Sequence, residues 1–182
     1  MKVYIETDRL LLRDIEESDA AGIFALDSDP EVHQYLGNHP ITSMQQAEEM
    51  ICLIRQQYVD KGVGRWAVID KASNEFVGWS GLKYELNLRK EFSYFDLGFR
   101  LRPKYWGQGI ATESARESLK FGFTKMNLTQ ICAAADIANF ASNAVLKKVG
   151  LQFKEVFQYE EIPVNWYVLN REDWLKHVSR TP

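Results

Sequence analysis

The hydrophobic pattern of the chain changes between residues 102 and 109, and this change restricts the fold more than any other feature. In the run 91–101 alternate residues are apolar, namely Phe95, Leu97, Phe99 and Leu101. Such alternation is typical of a β-strand with one buried face. From residue 110 to 126 apolar and small residues recur instead at helical spacing. We therefore expect a strand that leads through a short loop into a helix.

The segments on the two sides of this junction predict different arrangements. The predicted strands are 10–13, 65–70, 75–82, 91–101, 129–135, 151–159 and 164–169. The predicted helices are 19–26 after Ser18, a helix after Ser43, 110–126, and 139–149 ended by Gly150. Gln46 would complete a capping box with Ser43. The region 65–101 predicts an antiparallel meander, and the helix–strand–helix order that follows indicates an α+β layer sheet.

Composition sets limits on the class of protein. The chain has 182 residues, 46% hydrophobic and 26% charged, which fits one globular domain over 1–182. The formal net charge of −3 gives no general attraction to nucleic acid or to anionic membranes, so we expect neither as a partner, although a local basic patch would allow an RNA-borne or ribosomal substrate. The start of the chain lacks the apolar core of a signal peptide, which predicts a cytoplasmic protein. The scattered histidines and cysteines do not predict a metal site.

The loop at the junction predicts an anion site. It contains Gly107 and Gly109 just before a helix, and glycine permits positive φ and close approach of a ligand to the backbone. Unpaired N–H groups at a helix start attract phosphate. A tight turn without a ligand is the alternative. A dinucleotide fingerprint is excluded because Thr112 occupies the position of its third glycine, and the lysine-containing phosphate loop is absent.

Three separated motifs resemble those of the GNAT superfamily of N-acetyltransferases, in the same order. Residues 104–109 are similar to its Gln/Arg-x-x-Gly-x-Gly/Ala motif. Residues 97–101 and 105–113 resemble the RimJ/RimL-like branch, which includes ribosomal-protein N-terminal acetyltransferases. That branch also typically begins as this chain does at 6–13, and a further motif matches between 139 and 151. The resemblance covers nearly the whole chain.

The resemblance implies a fold and a reaction. The fold would be a mixed, mostly antiparallel sheet of six to seven strands with helices on both faces, splayed at the central parallel pair. The reaction would be direct attack of a neutral primary amine on acetyl-CoA, without a metal. The acceptor would be a peptide N-terminus, a polyamine-like amine or an aminoglycoside-like amine. A catalytically inactive CoA-binding module is the alternative. The oligomeric state stays open, with a homodimer as one option.

The resemblance also implies which residues contact acetyl-CoA. The backbone of Phe99, Arg100 and Leu101 would pair with the pantetheine arm, and an amide near Phe99 would polarise the acetyl carbonyl. The pyrophosphate would lie on the segment formed by Trp106, Gly107, Gln108, Gly109, Ile110, Ala111 and Thr112. Asn139 would hydrogen-bond to the pantetheine arm, although asparagine is also a strong helix N-cap.

The chain departs from the family at positions that bear on catalysis. Lys104 replaces the first Gln/Arg of the loop motif, a mild change if the contacts are backbone. Leu146 stands where many members carry the tyrosine that protonates the thiolate, and Leu146→Tyr is expected to restore that acid in part. Ser142 is the substitute candidate, or an ordinary helix serine. Asp96 stands where many members carry a glutamate base, or it pairs with Arg100 on the same strand face.

Two further features are predicted to face the acceptor. The acidic turn Glu160-Glu161 would border the acceptor cleft and attract a cationic amine, although charged turns are usually only solvated. Among the tryptophans, Trp66, Trp79 and Trp166 lie on strands that would face the same cleft.

Overall fold

The computed structural model describes residues 1–179. Its strands are β1 (Val3–Glu6), β2 (Leu10–Arg13), β3 (Trp66–Asp70), β4 (Phe76–Glu85), β5 (Tyr94–Leu101), β6 (Gln130–Asp136), β7 (Gln152–Tyr159) and β8 (Ile162–Asn170). Its helices are α1 (Ala20–Asp27), α2 (Pro30–His33), α3 (Met44–Lys61), α4 (Ile110–Thr124), α5 (Phe140–Lys148) and α6 (Arg171–Val178). In this part of the chain, no helix has the length and apolar character needed to cross a bilayer.

The strands form one sheet of eight in the order β1-β2-β3-β4-β5-β6-β8-β7. Among the strands of residues 1–179 only β5 and β6 are parallel to each other, so the α+β class and the mixed, mostly antiparallel sheet are confirmed. The expected count of six to seven strands was low because β1 was not predicted. Of its four residues only Ile5 is buried, so its alternation is too short to be distinctive.

The central parallel pair is splayed, as expected. β5 pairs with β4 along its whole length, but it is in register with β6 only where Asp96 lies opposite Cys132. On its opposite edge β6 pairs with β8 along its whole length. The edge of β5 that faces away from β4 is therefore free of strand partners, within the described chain, from residue 97 to 101.

Helices cover both faces of the sheet. α4 packs on one face, where Phe123 joins Trp66 and Leu97 in the larger core. α1 and α3 cover the other face, where they bury Ala67 and Ile69. Because β3 is covered on both sides, its first four residues are all buried and all apolar rather than alternating. Each fully buried aliphatic side chain contributes about 1.5–3 kcal/mol.

One of the two predicted serine N-caps is confirmed, and the other is wrong. Ser43 Oγ accepts from Gln46 N at 3.4 Å and Gln46 Oε1 accepts from Ser43 N at 3.1 Å, which confirms the capping box. Ser18 does not cap α1, because it lies inside a 3-10 turn and Asp19 precedes the helix. The Asp19 carboxylate accepts two hydrogen bonds from Arg13, at 2.7 and 2.8 Å. α2 and α6 were not predicted.

Candidate active site

The loop between β5 and α4 requires both of its glycines. Gly107 and Gly109 have φ of 74° and 78°, which L-residues with a side chain rarely adopt. A β-carbon on Gly107 would meet no atom within 4 Å, and one on Gly109 would approach only Arg9 Nη2, at 3.8 Å. Backbone conformation rather than crowding therefore selects glycine here, and the surface above the loop is open.

The same loop presents a series of free hydrogen-bond donors. None of the backbone N–H groups of residues 107–112 donates to a group in residues 1–179. They lead into α4, a helix of 15 residues whose dipole favours an anion at this end. Consecutive amides in a positive-φ turn form a concave anion site. The donors fit the pyrophosphate of coenzyme A, which offers charged acceptor oxygens and needs no side-chain partner.

Two residues of the predicted motif are engaged elsewhere. The backbone N–H of Trp106 donates to Pro103 O at 3.0 Å, and its indole Nε1 donates to Leu101 O at 2.7 Å. Trp106 therefore has no free amide for the pyrophosphate, and it presents its half-exposed ring instead. The Lys104 ammonium lies 2.9 Å from the Glu75 carboxylate, so this departure from the family motif points away from the loop.

Thr7 and Arg9, in the N-terminal segment, hydrogen-bond to the loop and to the first turn of α4. Arg9 Nε donates to Glu113 Oε2 at 2.9 Å, and Arg9 Nη1 donates to Gln108 O at 3.1 Å. Thr7 Oγ1 donates to the other Glu113 oxygen at 2.6 Å. These contacts join the motif at 6–13 to the start of α4, across about a hundred residues of sequence.

At the free edge of β5 only backbone groups are available. The side chains of Phe99 and Leu101 pack with the core beneath α4. Arg100 points to the opposite face, where its Nη1 donates to the Asp27 carboxylate and its guanidinium lies 5.0 Å from the Trp79 ring. The arrangement matches a strand edge that would pair with an extended ligand arm through main-chain hydrogen bonds.

Asp96 lies where β5 and β6 part, and it is buried. Its Oδ2 accepts from Arg65 Nη2, while Arg65 Nη1 donates to the Asp96 carbonyl at 2.7 Å and also to the Gly81 carbonyl. The alternative pairing with Arg100 is wrong. Gly98 leaves the space for Arg65, whose Nη2 would lie 2.5 Å from a β-carbon there. Burial raises the pKa of Asp96, and the Arg65 charge opposes that shift.

The start of α5 lies at the same opening. Asn139 is the N-cap, and its Oδ1 accepts from Ser142 N at 3.0 Å. Ser142 is half-buried, and its hydroxyl makes no hydrogen bond within residues 1–179. Leu146, one turn further, is 2% exposed and belongs to the main core. The serine hydroxyl is therefore available to a ligand, whereas the Leu146 side chain is committed to packing.

A hydrogen-bond hub that was not predicted holds α5 in place. Asn143 Nδ2 donates to Asp136 O at 2.8 Å and to Asn139 O at 2.7 Å. Its Oδ1 accepts from Asn165 Nδ2 and from Tyr167 OH, both at 2.7 Å. This buried amide is fully satisfied and ties α5 to β6 and β8. Its partners on β8, Asn165 and Tyr167, are 22 and 24 residues away, so no local pattern pointed to the complete set of contacts.

The three tryptophans do not share one side of the sheet. Trp66 faces the α4 core, 5.1 Å from the ring of Phe121, so the expectation that it faces the acceptor is wrong. Side chains along β3 alternate between the two faces of the sheet, and that of Trp66 lies on the face covered by α4. Trp79 lies on the side of Asp96, where two arginines stack on its ring. Trp166 lies on that side as well, through its contact with Tyr94.

A buried carboxylate that was not predicted from the sequence, that of Asp27, lies on the same side of the sheet as Asp96. Asp27 is fully buried, and its Oδ2 has no partner within the described chain. Its Oδ1 accepts from Arg100 and lies 3.4 Å from His33 Nε2. Burial, together with the Arg100 charge, lowers the pKa of His33. The sequence feature that could have indicated this site is Asp27 itself, the one charged residue of α1.

The acidic turn lies at the opening of the splay. Glu160 has φ of 53° and both turn carboxylates are exposed. Val164 of β8 pairs with Asp136 at the end of β6, which brings the preceding turn to the end of the sheet where β5 and β6 separate. No group of three or more metal-ligand side chains among residues 1–179 is arranged to hold an ion.

Comparison with known proteins assigns the family. Residues 9–152 match the family model described as Acetyltransferase (GNAT) domain, which is well over half of the chain. The chain belongs to the GNAT family of acetyltransferases. This agrees with the resemblance of the sequence motifs to that family.

Relatives and solved structures agree with this assignment. The uncharacterized N-acetyltransferase YoaA of Bacillus subtilis (strain 168) is 33% identical over 154 residues, covering 85% of each chain. The FsC-acetyl coenzyme A-N(2)-transacetylase of Aspergillus fumigatus is 30% identical, over 94% of this chain and 78% of that protein. The structure of RimL, a ribosomal L7/L12 alpha-N-protein acetyltransferase in complex with coenzyme A, has a similar fold. Its TM-score is 0.78 at 17% identity, covering 93% of this chain and 98% of RimL.

This GNAT chain is an acetyl-CoA-dependent N-acetyltransferase, and acetyl-CoA is its cosubstrate. The residues present suit that cosubstrate, because free amides at 107–112 adjoin a free strand edge at 97–101. Leu146 stands where the resemblance implied a tyrosine.

Proposed function

We propose that this enzyme transfers the acetyl group to a primary amine by direct attack, in the opening between β5 and β6. The observation that carries the proposal is the continuity of the free β5 edge with the unpaired amides of 107–112. An extended pantetheine arm on that edge would place its pyrophosphate over the loop and its thioester near Asp96.

The protein's part in this reaction is mainly to position the reactants. Acetyl-CoA supplies the acetyl group; the backbone of 99–101 holds its arm and the amides of 107–112 hold its pyrophosphate. The amine nitrogen bonds to the acetyl carbon while the carbon–sulfur bond breaks. The amine gives up one proton, and the thiolate gains one. A backbone N–H near Phe99 donates to the carbonyl oxygen as negative charge develops there, and fixed geometry lowers the barrier further.

Asp96 is the base in this proposal. Amines are largely protonated at neutral pH, and a proton must leave before the nitrogen can attack. Oδ2 is held by Arg65, but Oδ1 accepts no hydrogen bond from residues 1–179. Because burial raises the pKa of this carboxyl, it is a better proton acceptor than an exposed aspartate.

Ser142 assists the leaving thiolate. Its hydroxyl is unengaged and lies in the first turn of α5, beside the opening. A serine hydroxyl is too weak an acid to protonate a thiolate outright, so it donates a hydrogen bond and relays a proton from water. Asn139 Oδ1 is committed to capping, which leaves its Nδ2 for the pantetheine arm.

The acceptor in this proposal is a cationic primary amine, either a peptide N-terminus or a small amine. Carboxylates border the opening at Glu160 and Glu161, whereas the rings of Trp79 and Trp166 are already covered by arginines of the protein. Negative charge raises the local concentration of a cation.

A thiol-release assay tests the proposal. Acetyl-CoA is incubated with the enzyme and with peptides, polyamines and aminoglycosides in separate arms. We expect amine-dependent release in at least one arm.

Leu146 favours a second candidate, a CoA-binding module without catalysis. Tight CoA binding with no release on any amine would support that candidate and reject the transferase.

A further inference from the structure

One cationic side chain of the protein itself occupies an aromatic cage beside the opening. The Arg89 guanidinium, on the loop between β4 and β5, lies 5.3 Å from the Phe92 ring, 4.6 Å from Phe157 and 5.2 Å from Trp166. The cage is defined by these three rings. Phe92 and Phe157 both contact the Trp166 ring, with centroids 6.1 and 5.9 Å away, so the rings form one connected wall.

The cage adjoins the proposed site of acetyl transfer. Trp166 lies opposite Ala134 of β6, and its ring is 4.7 Å from that of Tyr94 on β5. Tyr94 lies two residues before Asp96 on the same strand face, a separation of about 7 Å. The Tyr94 hydroxyl is buried and has no hydrogen-bond partner within the described chain. This unpaired polar atom lies between the cage and Asp96 and is available to a hydrogen-bond partner if the cage opens.

The contacts that hold Arg89 are of a kind that an external cation can replace. Its ion-pair partners Glu91 and Glu155 are 66% and 52% exposed, so both carboxylates remain accessible to an external cation. The Arg89 side chain itself is only 13% exposed. Aromatic rings around a desolvated cation are a recurring means of recognising organic ammonium groups. An incoming ammonium would find the same three rings and the same two carboxylates.

We infer that the cage is a binding subsite for a second cationic group of the acceptor, and that Arg89 fills it until such an acceptor replaces it. This rests on the proposed function, since the first amine of the acceptor is the one acetylated. The preferred acceptor class is a small diamine or polyamine, and a monoamine leaves Arg89 in the cage. Arg89 is thus a specificity-determining residue that does not take part in the transfer itself.

The test compares straight-chain diamines with the monoamines of the same chain length. Arg89→Ala should lower the KM of the diamines by at least about threefold, the lower end of the range for a cation–π contact, and leave the monoamine KM unchanged. Arg89→Lys keeps a cation in the cage and should behave like the wild type. Phe92→Ala should raise the diamine KM alone. Phe92 is half-exposed, so this variant should fold even if Arg89→Ala does not.

A binding measurement separates the cage from the transferase activity. Tetramethylammonium titrated by NMR should bind the Arg89→Ala protein, bind the wild type more weakly, and not bind the Arg89→Ala/Phe92→Ala protein. If no amine releases thiol but this order holds, the proposed function fails and the cage stands. The cage is overturned if tetramethylammonium does not distinguish the three proteins. It is also overturned if diamine and monoamine KM values change together in Arg89→Ala and in Phe92→Ala.

Discussion

Arg65 contacts Asp96 through both of its terminal nitrogens, one to the carboxylate and one to the main-chain carbonyl. The pair is buried at the single point where β5 and β6 are in register. Arg65 therefore fixes both the side chain and the backbone of the proposed base at the start of the splay.

Asp96→Asn should lower kcat/KM at neutral pH by about a hundredfold or more, because the protonated amine would lose its proton acceptor. The deficit should shrink at high pH, where the amine is already neutral. The measurement is a pH profile of kcat/KM for both proteins.

Replacing Asp96 also leaves Arg65 as an unpaired buried charge, which costs about 3–5 kcal/mol of stability. The double variant Arg65→Gln/Asp96→Asn removes that charge and serves as the control. Recovery of activity in the double variant, or a deficit constant with pH, would assign Asp96 a positioning role instead.

The two glycine-loop variants should differ sharply in affinity for coenzyme A. Gly109→Val places a branched residue at φ 78°, a strained conformation, and its side chain would extend over the free amides. We expect binding at least tenfold weaker. Lys104→Ala removes only an exposed ion pair with Glu75, and its affinity should stay within about twofold. Isothermal titration calorimetry measures both; wild-type affinity in both variants would argue against the loop as the pyrophosphate site.

Ser142→Ala should reduce turnover by roughly tenfold, with acetyl-CoA affinity nearly unchanged, because the lost hydrogen bond acts on the departing thiolate. Leu146→Tyr should restore part of that loss. However, Leu146 is 2% exposed in the core, so the larger side chain should also cost about 1–3 kcal/mol of stability. Kinetics of the single and double variants, taken well below their melting temperatures, decide the matter. Wild-type turnover in Ser142→Ala would make water the proton source.

His33 should make the protein less stable as the pH falls below about 6.5. Its pKa is lowered in the folded state, chiefly by burial, so on acidification the unfolded chain binds a proton that the folded chain does not. Stability is therefore lost from the ordinary histidine pKa downwards until the folded pKa is reached. We would measure the free energy of unfolding by urea denaturation from about one pH unit above the ordinary histidine pKa to about one unit below it. His33→Gln should lose less of this free energy over that range than the wild type. An equal slope in the wild type and in His33→Gln would contradict the assignment.

The parts of the fold that could be predicted from sequence depend on local signals. β5 could be recognised because its alternation extends over several residues, and the loop could be recognised because positive φ leaves glycine as the favoured residue at positions 107 and 109. The Ser43 capping box lies within four residues of sequence. Each of these signals is contained in a short window, so one sequence suffices to find it.

The site's charged contacts could not be predicted in the same way. Arg65 and Asp96 are 31 residues apart, and Arg100 and Asp27 are 73 apart. Strand alternation placed Arg100 and Asp96 on one face, but the space above Gly98 decides which arginine reaches the carboxylate. Which neighbour fills such a space depends on how strands are assembled, and a local pattern carries no information about that.

The central claim is that acetyl-CoA and an amine react in the opening between β5 and β6 to give an N-acetylated product. Mass spectrometry of the acceptor, with thiol release quantified in the same reaction, tests this directly. We predict one acetyl group on a nitrogen of the amine for each coenzyme A thiol released, and loss of both signals in Gly109→Val at limiting acetyl-CoA. Thiol release without an acetylated amine, or coenzyme A binding with neither product, would contradict the account.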